Sequence, residues 1–248
     1  MAGPIPQYLL PDSSRIVDGG LTIGGCNLVD LAAEFGTPLF VYDEEHLRAR
    51  CRAAVAAFGD GVAYATKSFL CTAMARLAHE EGMHLDVATG GEMFVARRAG
   101  VPADRLVFHG NNKSEAELRT ALEAGVGRIV VDSFDEIDRM EALHREGREP
   151  ATVLVRITPG VEAHTHEYIT TGQDDTKFGF TVSSGAADLA IDRIRNSPAF
   201  KLAGIHAHIG SQVFRLDSFV EATRVIAGIA KRFDVEELSL GGGLGVAY

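Results

Sequence analysis

The sequence predicts an α/β fold on a parallel sheet, of the (β/α)8 TIM-barrel type but incomplete, with about seven barrel strands. Three observations lead there. Short apolar runs begin at 62, 84, 106 and 128, about every 22 residues, which is as tight as barrel units run. Amphipathic helical stretches separate them, and strands alternating with helices imply crossover connections in a parallel sheet. Glycines close the helices at Gly82, Gly100 and Gly125, where a left-handed residue costs least. An open doubly wound sheet is the alternative arrangement of the same alternation.

The elements can be justified in order. Residues 16–23 read as a hairpin turning at Asp18-Gly19-Gly20, and 28–35 as a short helix stopped by Gly36. Residues 39–42 read as a strand, after which Asp43 caps a helix over 44–58. Strand candidates follow at 62–66, 84–88, 106–109, 128–132, 153–157, 203–208 and 237–240. Ser114 with Glu117, Ser133 with Glu136 and Ser218 with Glu221 have capping-box spacing. Seven barrel strands leave an exposed edge, so either one strand escapes this count or the chain is incomplete. The expected division is an N-terminal extension over 1–36 and a barrel over 37–248.

Composition narrows the function. A hydrophobic content of 46% with 23% charged residues describes a globular chain that can bury a large core. The net charge of −10 argues against a nucleic-acid surface, which needs clustered Lys and Arg; the largest basic cluster is Arg97-Arg98. No apolar stretch reaches membrane-spanning length. Cys26, Cys51 and Cys71 show no CxxC spacing, and the N-terminus has no signal-peptide pattern. A cytoplasmic setting is the simplest reading.

In a barrel, the C-terminal strand ends and the loops after them form the reactive face. Lys67, Asp86, His109, Arg156, His208 and the run Gly241, Gly242, Gly243 all fall there, on different strands. Lys67 is a candidate Schiff-base lysine, because an amine desolvated in a pocket loses its proton and becomes nucleophilic. Taken alone it reads more readily as a surface lysine opening a helix. Consecutive glycines let backbone N–H groups converge on a phosphate, although a flexible turn needs them too. With a flat histidine beside Ser211, these features suggest pyridoxal 5'-phosphate. A rival reading is metal: His206 and His208 sit two apart on one strand, and His164 and His166 offer further ligands, as in a barrel hydrolase. Asp86 and Glu92 are equally readable as helix-terminus anions, and Asn111, Asn112 and Lys113 as plain loop.

Eight segments in order resemble the diaminopimelate decarboxylases, pyridoxal-phosphate enzymes of the alanine racemase fold type, from about residue 36 to Tyr248. They are Tyr64-Ala-Thr-Lys67, Asp86-Val-Ala-Thr-Gly-Gly-Glu92, His109-Gly-Asn-Asn-Lys-Ser114, Arg156-Ile-Thr-Pro-Gly160, His164-Thr-His166, Lys177-Phe-Gly-Phe180, His206-Ala-His-Ile-Gly-Ser-Gln212 and the run from Gly241 to Tyr248. The resemblance implies that Lys67 holds the cofactor covalently and that His208 stacks on its ring. It implies that Ser211 and the Gly241, Gly242 and Gly243 amides bind the phosphate, while Asp86, His109 and Arg156 line the ring pocket; no metal is implied. The family reaction converts meso-diaminopimelate to L-lysine and CO2, and family members form homodimers. The family also continues beyond the glycine run, with a Glu-Pro-Gly-Arg segment on an eighth strand and a β domain against which the N-terminal extension would pack. Neither is in this sequence, so the isolated chain is expected to be poorly active or inactive. The alternative is a non-enzymatic pyridoxal-phosphate-binding remnant.

Overall fold

The computed structural model describes residues 5–161 and 177–246, which divide into two compact units. One runs up to Val62 and includes Leu77–Met83; the other comprises Ala63–Arg76 and His84–Val246.

In the first unit, β1 (Arg15–Val17) and β2 (Gly20–Ile23) form an antiparallel hairpin. Asp18 and Gly19 both take positive φ, 50° and 80°, which matches the twist of the flanking strands in a two-residue turn. β3 (Cys26–Asn27) pairs with β2, and Asn27 caps α1 (Leu28–Phe35) by accepting from the Val29 N–H. Residues 39–42 are not a strand, contrary to expectation. Phe40 is 84% exposed, and an apolar run without a cross-strand partner gains nothing from extended pairing. Asp43 caps α2 (Glu44–Phe58), as its position indicated, by accepting from the His46 N–H at 3.1 Å. Its carboxyl is held below the usual range, first by the Ser13 hydroxyl and then by that cap.

The second unit holds the parallel sheet. β4 (Ala63–Ala65) is followed, beyond helix α3 (Thr72–Glu80), by β5 (His84–Val87) and α4 (Gly90–Arg98). The alternation continues through β6 (Leu106–Phe108), α5 (Glu115–Ala124), β7 (Arg128–Val131), α6 (Phe134–Arg145) and β8 (Ala151–Thr158). After the two-residue β9 (Phe180–Thr181) come α7 (Ala186–Asn196), β10 (Phe200–His206), α8 (Leu216–Phe233) and β11 (Glu237–Ser239). Seven strands pair in the order β11-β10-β8-β7-β6-β5-β4, all parallel, with β9 beside β8. This is an incomplete, open barrel with β4 and β11 at its edges, as the strand count anticipated.

Burial explains the parallel pairing. Ile129, Val130 and Val131 of β7 and Val153, Leu154 and Val155 of β8 are buried at successive positions, hence on both faces of the central strands, and strands covered on both faces are those that run parallel. Ser114 builds a complete capping box with Glu117 on α5. Ser218 does not, because α8 starts earlier, at Leu216, and places Ser218 inside its first turn. Arg128 reaches from the start of β7 to Glu237 at the start of β11, its Nε donating at 2.9 Å.

Gly204 packs its α-carbon on the neighbouring strand: a Cβ there would stand 2.0 Å from the Glu237 carbonyl oxygen. Gly204→Ala is expected to lose about 2–3 kcal/mol in urea denaturation, the cost of overpacking a site that cannot give. Hydrogen exchange should show the loss localised at the β10–β11 ladder, with the Ala207 N–H, which donates to Ser239 at 2.9 Å, exposed early.

Candidate active site at the strand C-termini

The strands of the sheet bring their polar residues and the glycine loop to the same end. β4 stops at Ala65, and Thr66-Lys67-Ser68 form a tight turn of 3-10 helix beyond it. Thr66 Oγ1 donates to the Asp86 carbonyl at 2.8 Å, and Ser68 Oγ to Ala65 at 2.8 Å. The turn is therefore anchored on both sides of Lys67, whose own side chain is exposed rather than enclosed as expected. The strand has ended before Lys67, so the residue rides on a turn and not on the sheet.

Asp86 on β5 and His109 just after β6 approach each other, Oδ2 to Nε2 at 3.5 Å. Burial lifts the Asp86 carboxyl to about 7; Lys67 opposes the rise and Glu92 adds to it. Asp86 is thus not a helix-terminus anion. Glu92 is one: it sits in the first turn of α4 and accepts from the Ala88 N–H at 2.5 Å. Burial pushes His109 down to about 3, and the cations Arg156, Lys113 and Lys67 push the same way.

His206 lies edge-on to His109, ring centroids 4.8 Å apart at 77°, with Nδ1 2.8 Å from the Ser239 hydroxyl. It is buried, and burial holds its imidazole well below the ordinary value. His208 lies past the end of β10, so the two histidines do not project from one strand as the metal reading required. Burial, followed by Arg156 and Lys67, lowers His208 to about 4. His164 and His166 lie outside the described residues. Among the described residues, no group of three His, Cys, Asp or Glu side chains is placed to hold a metal ion.

The loops after β10 and β11 are stitched together. The Val213 N–H donates to Gly243 at 2.8 Å, and the Gly245 N–H to Val213 at 3.0 Å. A Cβ on Gly241 would stand 2.6 Å from the Ala207 carbonyl and 2.9 Å from His208 Nδ1; one on Gly243 would stand 1.8 Å from the Gly210 carbonyl. Both glycines also take positive φ, 69° and 94°. Only glycine fits, and the result is a backbone loop pressed against the His208 ring. Gly242 faces open space. Ser211 stands in the facing loop, half-buried. Among the described residues the N–H groups of Gly241, Gly242 and Gly243 have no protein acceptor. Such a set of free donors suits an anion.

Three participants were not legible as such. Arg156 on β8 is buried over the Phe178 ring, 4.4 Å away, and its Nη1 donates to Asp132 Oδ2 at 3.2 Å. Asp132 is 4% exposed and directly follows β7; its place at a strand end was the signal for it. Glu136 does accept from a backbone N–H, but from Asp132 at 3.1 Å rather than from Ser133, and its other oxygen meets Lys113 Nζ at 2.9 Å. Lys113, read as plain loop, is buried with its ammonium on the Gly110 and Val130 carbonyls.

Comparison with known proteins puts this arrangement in context. The sequence profile described as "Pyridoxal-dependent decarboxylase, pyridoxal binding domain" matches residues 44–248. Diaminopimelate decarboxylase of Mycobacterium tuberculosis (strain H37Rv) is 50% identical, across 98% of this chain and 57% of its own length. That of Bacillus subtilis (strain 168) is 48% identical, across 98% and 58%. The crystal structure of diaminopimelate decarboxylase from M. jannaschii superposes with a TM-score of 0.87 at 34% identity, covering 97% of this chain and 59% of that one. The Helicobacter pylori enzyme complexed with L-lysine gives 0.83 at 29%, covering 90% and 58%. The chain therefore spans less than two thirds of the length of these relatives.

The Asp86 carboxyl has a consequence for stability. Its pKa is higher folded, about 7, than the ordinary 3.8, so ionisation opposes folding; the penalty is absent at low pH and complete above about pH 7. About a quarter of the side chain meets solvent (27%), which weakens the effect. Asp86→Asn is expected to stabilise the fold by on the order of 3 kcal/mol at pH 8 and by less than about 1 kcal/mol near pH 4, measured by urea denaturation at both. A gain independent of pH would contradict this electrostatic account.

Proposed function

The chain belongs to the pyridoxal-dependent decarboxylases, and on that premise we propose that its strand-end face takes pyridoxal 5'-phosphate for the decarboxylation of meso-diaminopimelate to L-lysine and CO2. The observation that carries the reading is the glycine loop of 241–243, seated against His208 with its N–H groups free. The site fits the group on its own chemistry: a phosphate needs converging donors without Cβ obstruction, a flat ring needs a flat neighbour, and an aldehyde needs an amine. The substrate follows from the diaminopimelate decarboxylases at 43–50% identity.

In this reading Lys67 holds the cofactor covalently through Nζ. Its exposure leaves the amine free to be exchanged for that of an incoming amino acid. His208 supports the ring face and stays neutral near pH 7, since its pKa of about 4 lies far below. Ser211 and the amides of Gly241, Gly242 and Gly243 orient the phosphate, and Asp86, His109 and Arg156 line the ring. Pyridoxal phosphate, when bound, supplies the electron sink for the carbanion left as CO2 departs. Asp86 is near its midpoint at neutral pH, so its carboxyl can hold or release a proton beside Lys67. Residues 37–248 then form the cofactor-binding domain, with 1–36 as an extension. A homodimer and a cytoplasmic setting belong to the same reading, supported by the family resemblance. Among the described residues no helix is long and apolar enough to cross a membrane.

Three measurements test it. Borohydride reduction of the chain incubated with pyridoxal phosphate is expected to fix the label on Lys67, and Lys67→Ala to abolish it; label on another residue refutes the assignment. Gly243→Ala should weaken pyridoxal phosphate binding by about a hundredfold or more, because the new Cβ displaces the loop that presents the amides. For the substrate, the protein containing this chain should release one L-lysine per CO2 from meso-diaminopimelate. Cofactor binding without that product would overturn the substrate and keep the cofactor.

A further inference from the structure

Behind the residues that face the site runs a line of four buried charges. Lys113, in the loop after β6, pairs with Glu136 of α6 at 2.9 Å. Glu136 accepts from the Asp132 N–H at 3.1 Å, and the Asp132 carboxylate pairs with Arg156 of β8 at 3.2 Å. The two cations stand at the ends and the two carboxylates between them, and the charges sum to zero. The side chains of Lys113, Glu136 and Asp132 are 0%, 4% and 2% exposed, and that of Arg156 is 10% exposed.

Neither end of the line is free to move. Lys113 Nζ spends its remaining donors on the Gly110 and Val130 carbonyls, at 2.5 and 2.8 Å, and so clamps the residue after His109 to β7. Asp132 accepts the Gly179 N–H on its second oxygen at 2.7 Å. Gly179 itself lies so close that a Cβ would be 2.9 Å from the Arg156 carbonyl. Arg156 is thus held by Asp132 on one side and by the Phe178 ring, at 4.4 Å, on another. Its charge reaches Asp86, His109, His206 and His208. A guanidinium has a rotamer-rich stem, and without a fixed anion it would not keep one place among those four groups.

We propose that Asp132, backed by Glu136 and Lys113, is a positioning residue that fixes the Arg156 guanidinium in the cofactor pocket, while Lys113 fixes His109 from the same line. None of the three supporting residues faces the site; they act through Arg156 and His109. The inference rests on the cofactor reading above.

The test is a double-mutant cycle on the dissociation constant of pyridoxal phosphate, followed by absorbance and started from the unmodified chain. If that chain does not bind the cofactor at Lys67, the functional reading fails before this one is touched. Given binding, Asp132→Asn should weaken it by about tenfold, yet by less than about twofold in an Arg156→Met background, since the two act as one unit. Asp132→Glu keeps the charge and should stay within about threefold of the parent. A purely structural role predicts the reverse order, because Glu overpacks the site while Asn is isosteric. Equal losses from Asp132→Asn in both backgrounds, or a worse Asp132→Glu than Asp132→Asn, overturn the proposal. Should Asp132→Asn not fold, Asp132→Glu carries the test: affinity within threefold of the parent supports positioning by charge, and a tenfold loss refutes it.

Discussion

Parallel pairing of seven strands sends every strand's C-terminal end to the same side, so whatever polar residue ends each strand must share one space with the others. Because the central strands β7 and β8 are covered on both faces by apolar side chains, the strand ends are where polar groups can stand. Lys67, Asp86, His109, Asp132, Arg156, His206 and His208 all emerge there. They come from positions up to 141 apart in sequence (208 − 67), and no local interaction would collect them. The sheet register does it, pairing Asp86 with Ala65 and Val107, and His206 with Arg156.

Crowding charges into one space sets their protonation. Three histidines lie near Arg156 and are all depressed, burial acting first in each and Arg156 pushing the same way. They remain neutral at physiological pH. Asp86 moves the other way, since burial disfavours its charge more than Lys67 and Arg156 favour it. Asp132 lies deeper still and is paired directly, with Arg156 on one oxygen and the Gly179 N–H on the other. Two aspartates at equivalent strand ends therefore do different work: one can exchange a proton, the other anchors a cation.

Much of this was legible in local pattern. The helix start at Asp43 and the complete box at Ser114 need only a side chain and the next turn of backbone, so their spacing sufficed. The failures have a common cause. Residues 39–42 have strand composition but no partner strand, and the Ser218 box yields to a helix that begins earlier. Glu136 has box spacing, yet its carboxylate turns to Asp132 and Lys113 because a buried ammonium competes for it. Lys113 looked like loop since nothing in its neighbours reveals that Val130 and Glu136 enclose it.

The sequence by itself determined the strand-and-helix alternation, the seven strands and the addresses of Lys67, Asp86, His109, Arg156, His208, Ser211 and the three glycines, because period and spacing are local properties. It also showed a glycine run at 241–243, though not that positions 241 and 243 admit no side chain. Tertiary structure alone decided that a Cβ at Gly241 or Gly243 would strike the His208 loop. It likewise decided that Lys67 rides on an exposed turn, and that Asp132, Glu136 and Lys113 form the buried line behind the site. Those outcomes depend on which groups meet across the sheet and on how much water remains between them, and neither quantity is written in any one segment of the chain.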